Sequence, residues 1–92
     1  MEFIKGSKTP KTEKGSMMIN HTPIYRNIDV KNIRKKMNMT QKQFSKTLGV
    51  SVKTIEAWEN GRNKPNGVAM RLLEICKKKP ELFVELKIIN EI

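Results

Sequence analysis

The stretch Met39–Pro65, MTQKQFSKTLGVSVKTIEAWENGRNKP, decides the fold. Thr40 and Gln43 have the spacing of a capping box, in which two side chains satisfy the free amides that open a helix. Phe44 and Leu48 then share one face, and Gly49 stands where a chain leaves a helix with positive φ. Val50 occupies the turn. Ser51 is a good N-cap for the next helix, whose inner face carries Ile55 and Trp58, and Gly61 stops it. Two helices joined by so short a turn need a small residue at their closest approach, here Ser45, and a glycine where the backbone reverses. The spacing therefore predicts a helix-turn-helix.

Upstream, Val30, Ile33 and Met37 share one face of a helix expected to open at Asp29 and to end at Asn38 and Met39. Downstream, Arg62 to Gly67 reads as a polar loop containing Pro65. A fourth helix follows, with Val68 or Ala69, Leu72, Leu73 and Cys76 inward. Pro80 suits the first turn of a fifth, along which Leu82, Phe83, Leu86 and Ile89 keep helical spacing. The segment Met1–Arg26 holds Gly6, Pro10, Gly15 and Pro23 and only short apolar clusters, so it reads as a mobile arm that orders on binding. The expected architecture is all-α: a flexible N-terminal arm over 1–27, then a compact bundle of about five short helices over 28–92.

A chain of 92 residues has room for one domain, and a domain this short is marginally stable alone. The formal charge of +10, from 19 basic and 9 acidic residues, points to a polyanionic partner or to a solvated lysine-rich surface. Thirteen of the lysines and arginines lie between Asp29 and Lys79 against four acids, which favours a basic surface on the folded part. Cys76 is the single cysteine, so no internal disulfide forms. With His21 alone and no Cys/His cluster, neither metal nor cofactor is expected. No apolar run approaches the roughly 18 residues of a membrane span, and the N-terminus lacks the apolar core of a secretory signal. A cytoplasmic protein is expected. No Ser/His/Asp set, no carboxylate pair on one helical face and no glycine-rich phosphate loop is visible, so catalysis is not expected.

Met39–Pro65 resembles the helix-turn-helix of the XRE (Cro/phage-repressor) family, a lambda-repressor-like fold. The likeness rests on Thr40-Gln41, the Leu48-Gly49-Val50-Ser51 turn, Ile55, and Trp58-Glu59-Asn60-Gly61-Arg62. The continuation from Pro65-Asn66-Gly67-Val68-Ala69 through Leu72-Leu73 to Lys79-Pro80-Glu81-Leu82 is similar to small antitoxins of the HigA and MqsA type. The resemblance covers roughly residues 28 to 84.

In a helix-turn-helix the start of the second helix of the motif faces the bases. Its outward positions are read as Ser51, Val52, Lys53, Glu56 and Ala57. Lys53 can donate to guanine, Val52 and Ala57 can pack on a thymine methyl, and Ser51 can reach a base or a phosphate. Glu56 can accept from a cytosine amine, though an ion pair to one side is the favoured expectation. The resemblance implies base reading at Val52, Lys53 and Ala57. With Val52 and Ala57 in place of hydrogen-bonding side chains, apolar contact or readout of DNA shape is favoured. It also implies phosphate contacts from Thr40 and Gln41, and from Asn60, Arg62, Asn63 and Lys64.

One such helix covers too few base pairs for specificity, so a homodimer on a palindromic double-stranded DNA operator is expected. Leu82, Phe83, Leu86 and Ile89 exceed what the core needs, so the fifth helix is expected to complete the core with some of them and to supply a dimer seam with the rest. Trp58 and Cys76 are read as core, His21 as exposed, and Lys31, Lys35 and Lys36 as a solvated face. Lys77, Lys78 and Lys79 complement a helix C-terminus. The resemblance implies a repressor that also neutralises a RelE/HigB-like ribonuclease toxin. The arm Met1–Arg26 is a candidate toxin-binding segment, since a flexible chain can wrap a surface and fold on it; the resemblance allows the helical domain to do this instead. A stand-alone or phage-type regulator and a protein-interaction adaptor that does not read DNA are the alternatives.

Overall fold

The computed structural model describes residues 17–90. Residues 1–16, the larger part of the expected arm, and the terminal pair 91–92 lie outside the described residues. Among the described residues the elements are α1 (Asn27–Lys36), α2 (Gln41–Leu48), α3 (Val52–Glu59), α4 (Gly67–Lys78) and α5 (Glu81–Glu85), with no strand. The all-α bundle expected from the sequence is what forms.

Local chemistry sets the boundaries. α1 opens two residues before the expected Asp29, because Asp29 acts from inside the helix: its Oδ2 accepts from the Arg26 backbone N–H at 2.8 Å and from Arg26 Nε at 3.3 Å. At the head of α2 the capping box is reciprocal. The Gln43 N–H donates to Thr40 Oγ1 at 3.1 Å, and the Thr40 N–H to Gln43 Oε1 at 2.9 Å. Gly49 closes α2 with φ 76°. A Cβ there would meet nothing within 4 Å, so the left-handed backbone, not crowding, calls for glycine. Ser51 Oγ accepts from the Thr54 N–H at 3.1 Å and starts α3. Asn66 Oδ1 accepts from the Ala69 N–H at 2.9 Å, so the polar loop ends at Asn66 and Gly67 is already helical.

The core draws on α1, α2, α3 and α4 together. Val30, Phe44, Ile55 and Leu73 are fully buried, and Ile33, Leu48, Trp58, Ala69, Met70 and Cys76 surround them. Trp58 and Cys76 are core residues, as expected. Of the two candidates at the head of α4, Ala69 turns inward, whereas Val68 is 73% exposed.

One placement differs from expectation. Tyr25, counted with the arm, is buried in the core, and its N–H faces Met70 Sδ at 3.4 Å. Arg71 Nη2 also donates to the Asn20 carbonyl at 2.6 Å. The chain just ahead of α1 therefore lies against α4, and the folded unit takes in Tyr25, ahead of residue 28. The core takes up part of the proposed seam. Phe83 is buried in the core of its own chain, with Leu82 and Ile89 half-buried, so of the four seam residues only Leu86 stands exposed. α5 is short: Ile88 and Ile89 both donate from the backbone to the Phe83 carbonyl, at 2.8 and 2.9 Å, with Lys87 left-handed at φ 61°. Phe83 is thus among the residues of α5 that complete the core. No helix among the described residues is long and apolar enough to cross a membrane, and no group of three or more potential metal ligands occurs among them.

Candidate nucleic-acid interface

With Ile55 and Trp58 turned into the core, a 100° step per residue brings Lys53, Glu56 and Asn60 onto one outward stripe of α3. Lys53 and Asn60 are exposed, while Glu56 and Val52 are half-buried beside them. Ser51 is exposed, but its hydroxyl is engaged with Thr54, at 3.1 Å to the backbone nitrogen and 2.8 Å to Oγ1.

Ala57 is a correction. It is only 8% exposed, and its carbonyl accepts from the backbone N–H groups of Arg62 at 2.9 Å and Asn63 at 3.3 Å. The chain leaving α3 folds back onto this carbonyl, and the Ala57 side chain counts with the buried residues, not with the exposed face of α3. Asn60, the C-cap of α3, is exposed at the end of the same face.

The flanks are also arranged. Thr40 is exposed at the head of α2, with its hydroxyl in the capping box. Gln41 is half-buried, and its side-chain amide donates to Glu59 Oε1 at 3.2 Å. Asn60 Oδ1 accepts from both the backbone N–H and Nε of Arg62, at 3.1 and 3.2 Å, which holds that guanidinium near the end of α3. Arg62, Asn63 and Lys64 are all exposed in the loop beyond. Lys31, Gln41, Glu56, Glu59 and Asn60 line an open depression of about 300 Å³ between α1, the start of α2 and α3.

A polar lock fixes these parts to one another. Arg34 Nε and Nη2 bind Glu59 Oε2 and Oε1 at 2.6 and 3.0 Å, and Arg34 Nη1 donates to the Met39 carbonyl at 2.9 Å. The two side chains are 12% and 6% exposed. One guanidinium thus ties α1 to the α1–α2 loop and to the last turn of α3, and Gln41 joins α2 to the same carboxylate. Burial pushes the Glu59 carboxyl upward, but the hydrogen bonds from Arg34 and Gln41 outweigh it and hold it below the usual glutamate range. The ion pair expected for Glu56 is not formed among the described residues; Glu59 makes it instead. Its partner lies 25 residues away, and no local spacing marks it.

Two capped helices, a glycine turn and a second helix that presents a polar stripe define a helix-turn-helix protein. The helix-turn-helix family model HTH_3 matches residues 30–83. The chain belongs to this XRE-type helix-turn-helix family. It is 40% identical over 53 residues to the antitoxin HigA-2 of Vibrio cholerae serotype O1, covering 58% of this chain and 51% of that protein. It is 34% identical over 55 residues to the antitoxin MqsA of Escherichia coli (strain K12), covering 60% and 42%. Against the uncharacterized HTH-type transcriptional regulator YiaG of the same organism, identity is 29% over 58 residues, covering 63% and 60%. The chain thus spans about half the length of the curated relatives it matches.

Proposed function

We propose that the protein is a sequence-specific DNA-binding repressor, the antitoxin of a type II pair, which neutralises a RelE/HigB-like ribonuclease toxin and represses their shared operon. The observation that carries the DNA reading is the outward Lys53–Glu56–Asn60 stripe of α3, flanked by the capped start of α2 and by the exposed cations Arg62 and Lys64. The stripe would read base edges in the major groove, with Ser51 and Val52 at its upstream edge. Thr40, Gln41, Arg62, Asn63 and Lys64 would hold the phosphates and set the register. With its side-chain amide bound to Glu59, Gln41 would act chiefly through its backbone N–H at the positive end of α2. A homodimer would place two copies of α3 about 34 Å apart on a palindrome.

The toxin reading is supported by two relatives that are themselves named antitoxins. The chain ahead of α1 offers a contact surface, since Met18, Ile19 and Ile24 are exposed there. A stand-alone regulator without a toxin is the second reading, favoured by the likeness to a protein named only as a transcriptional regulator.

Fluorescence anisotropy on the duplex upstream of the gene tests the DNA reading. Neutralisation of about four phosphates per protomer in a dimer gives a log–log salt slope near roughly −7. Lys53→Ala is expected to weaken that complex roughly tenfold, and random duplex less. Equal, salt-independent affinity for both duplexes would refute it. Co-purification with the product of the adjacent gene separates the two regulators: an antitoxin retains that product, a stand-alone regulator does not.

A further inference from the structure

Of the four acids from Asp29 to Glu74, three are paired and one is not, while Glu81 and Glu85 of α5 are exposed and in no ion pair among the described residues. Asp29 pairs with Arg26, Glu59 with Arg34, and Glu74 with both Arg71 and Lys78. Among the described residues, which hold 15 of the chain's 19 lysines and arginines, Glu56 has no ion-pair partner and makes no side-chain hydrogen bond. It sits in the middle of the outward stripe of α3, between Lys53 and Asn60, and lines the open depression with Lys31 and Gln41. A half-buried glutamate with no counter-charge paired to it among the described residues thus sits on the surface where a polyanion would dock.

The surrounding cations attract any duplex, because phosphate attraction is blind to sequence. An unpaired carboxylate pressed against DNA loses its water, and it repels the polyanion unless a donor replaces that water. In the major groove the matching donor is the N4 amine of cytosine. We propose that Glu56 is the specificity-determining residue of this surface: it accepts from a cytosine amine in the operator and penalises duplexes that present no such donor there. The inference rests on the DNA-binding reading above. It assigns the loop cations to general affinity, leaves Lys53 as a base reader beside it, and assigns Glu56 to the rejection of wrong sequence.

The test is selection from a randomised duplex pool by the full chain, by Glu56→Ala and by Glu56→Gln, followed by anisotropy on the selected and unselected duplexes at matched salt. The wild type is expected to enrich a C·G pair at a position that becomes degenerate in Glu56→Ala. Glu56→Gln is expected to move that position toward adenine, whose N6 and N7 suit an amide. Both variants should bind unselected duplex more tightly, by roughly tenfold, as the repulsion is removed. Because Glu56 makes no side-chain hydrogen bond, both should melt as the wild type does, and the isosteric Gln variant keeps the test decisive if Ala does not. A cytosine that persists in both variants, or unchanged affinity for unselected duplex, overturns the inference while leaving DNA binding intact. A wild type that enriches no motif and binds no duplex overturns both.

Discussion

The corner where α1, α2 and α3 meet and the tip formed by α5 are held by different means. At the corner, Arg34, Glu59, Gln41 and the Met39 carbonyl form a directional network with distances from 2.6 to 3.2 Å. At the tip, Phe83 alone is fully committed to the core, helped by half-buried Leu82 and Ile89, and the turn that follows forces Lys87 to a positive φ. Apolar burial fixes where an element lies but tolerates small rotations, because the hydrophobic effect has no direction. Charge-assisted hydrogen bonds fix orientation as well. The directional network thus fixes how α1, α2 and α3 are set against one another, whereas α5 is held by apolar burial.

The comparison breaks most severely at Glu59. Glu59→Ala leaves the Arg34 guanidinium buried without its carboxylate and is expected to cost about 3–5 kcal/mol in urea unfolding. The double variant Arg34→Met/Glu59→Leu should recover most of that loss, since the isolated buried charge is gone. If the double variant is as unstable as the single, the network is more than a charge pair. Acid sharpens the same point. The Glu59 carboxyl is held low in the folded state, so its contribution is present above the unfolded pKa and is lost as pH falls through the lower folded value. Melting temperature should therefore fall less steeply below the usual glutamate pKa in Glu59→Gln than in the wild type.

At the tip the effects are smaller. Phe83→Ala is expected to cost about 3 kcal/mol, at the lower end for a buried aromatic, because the short α5 can settle into the space. Lys87→Gly should gain about 0.5 kcal/mol, since glycine accepts φ 61° freely but loses more chain entropy on folding. A loss at Lys87→Gly in thermal melts would show that the Lys87 side chain, not the backbone, governs the turn.

What was legible in the sequence follows from range. Thr40 with Gln43, Ser51 with Thr54, and Gly49 after Leu48 act within one turn of their own helix, so their spacing announces them. Val30, Phe44, Ile55 and Leu73 were legible through helical period. The Arg34–Glu59 lock was not, because its partners lie on different helices and look like two more surface charges. Glu56 was expected in an ion pair for the same reason: either acid of α3 could have taken it, and only the docked α1 decides. Ala57 and Tyr25 were expected to be exposed and are buried, because cover by other parts of the chain leaves no local pattern: Tyr25 lies against Met70 of α4. Which of the four apolar residues of the fifth helix completes the core was equally open in the sequence, and Phe83 is the one that is buried.

Cys76 lies on α4 within the core, 2% exposed, and burial lifts its thiol pKa to about 12. At neutral pH the thiolate is therefore scarce and out of reach of a reagent while the helices stay together. As the one sulfhydryl of the chain, it makes an unlabelled stopwatch for the molecule's opening. The pace of its alkylation in native buffer reports how often the seat of α4 comes apart, and any bound partner that steadies the fold will slow that clock.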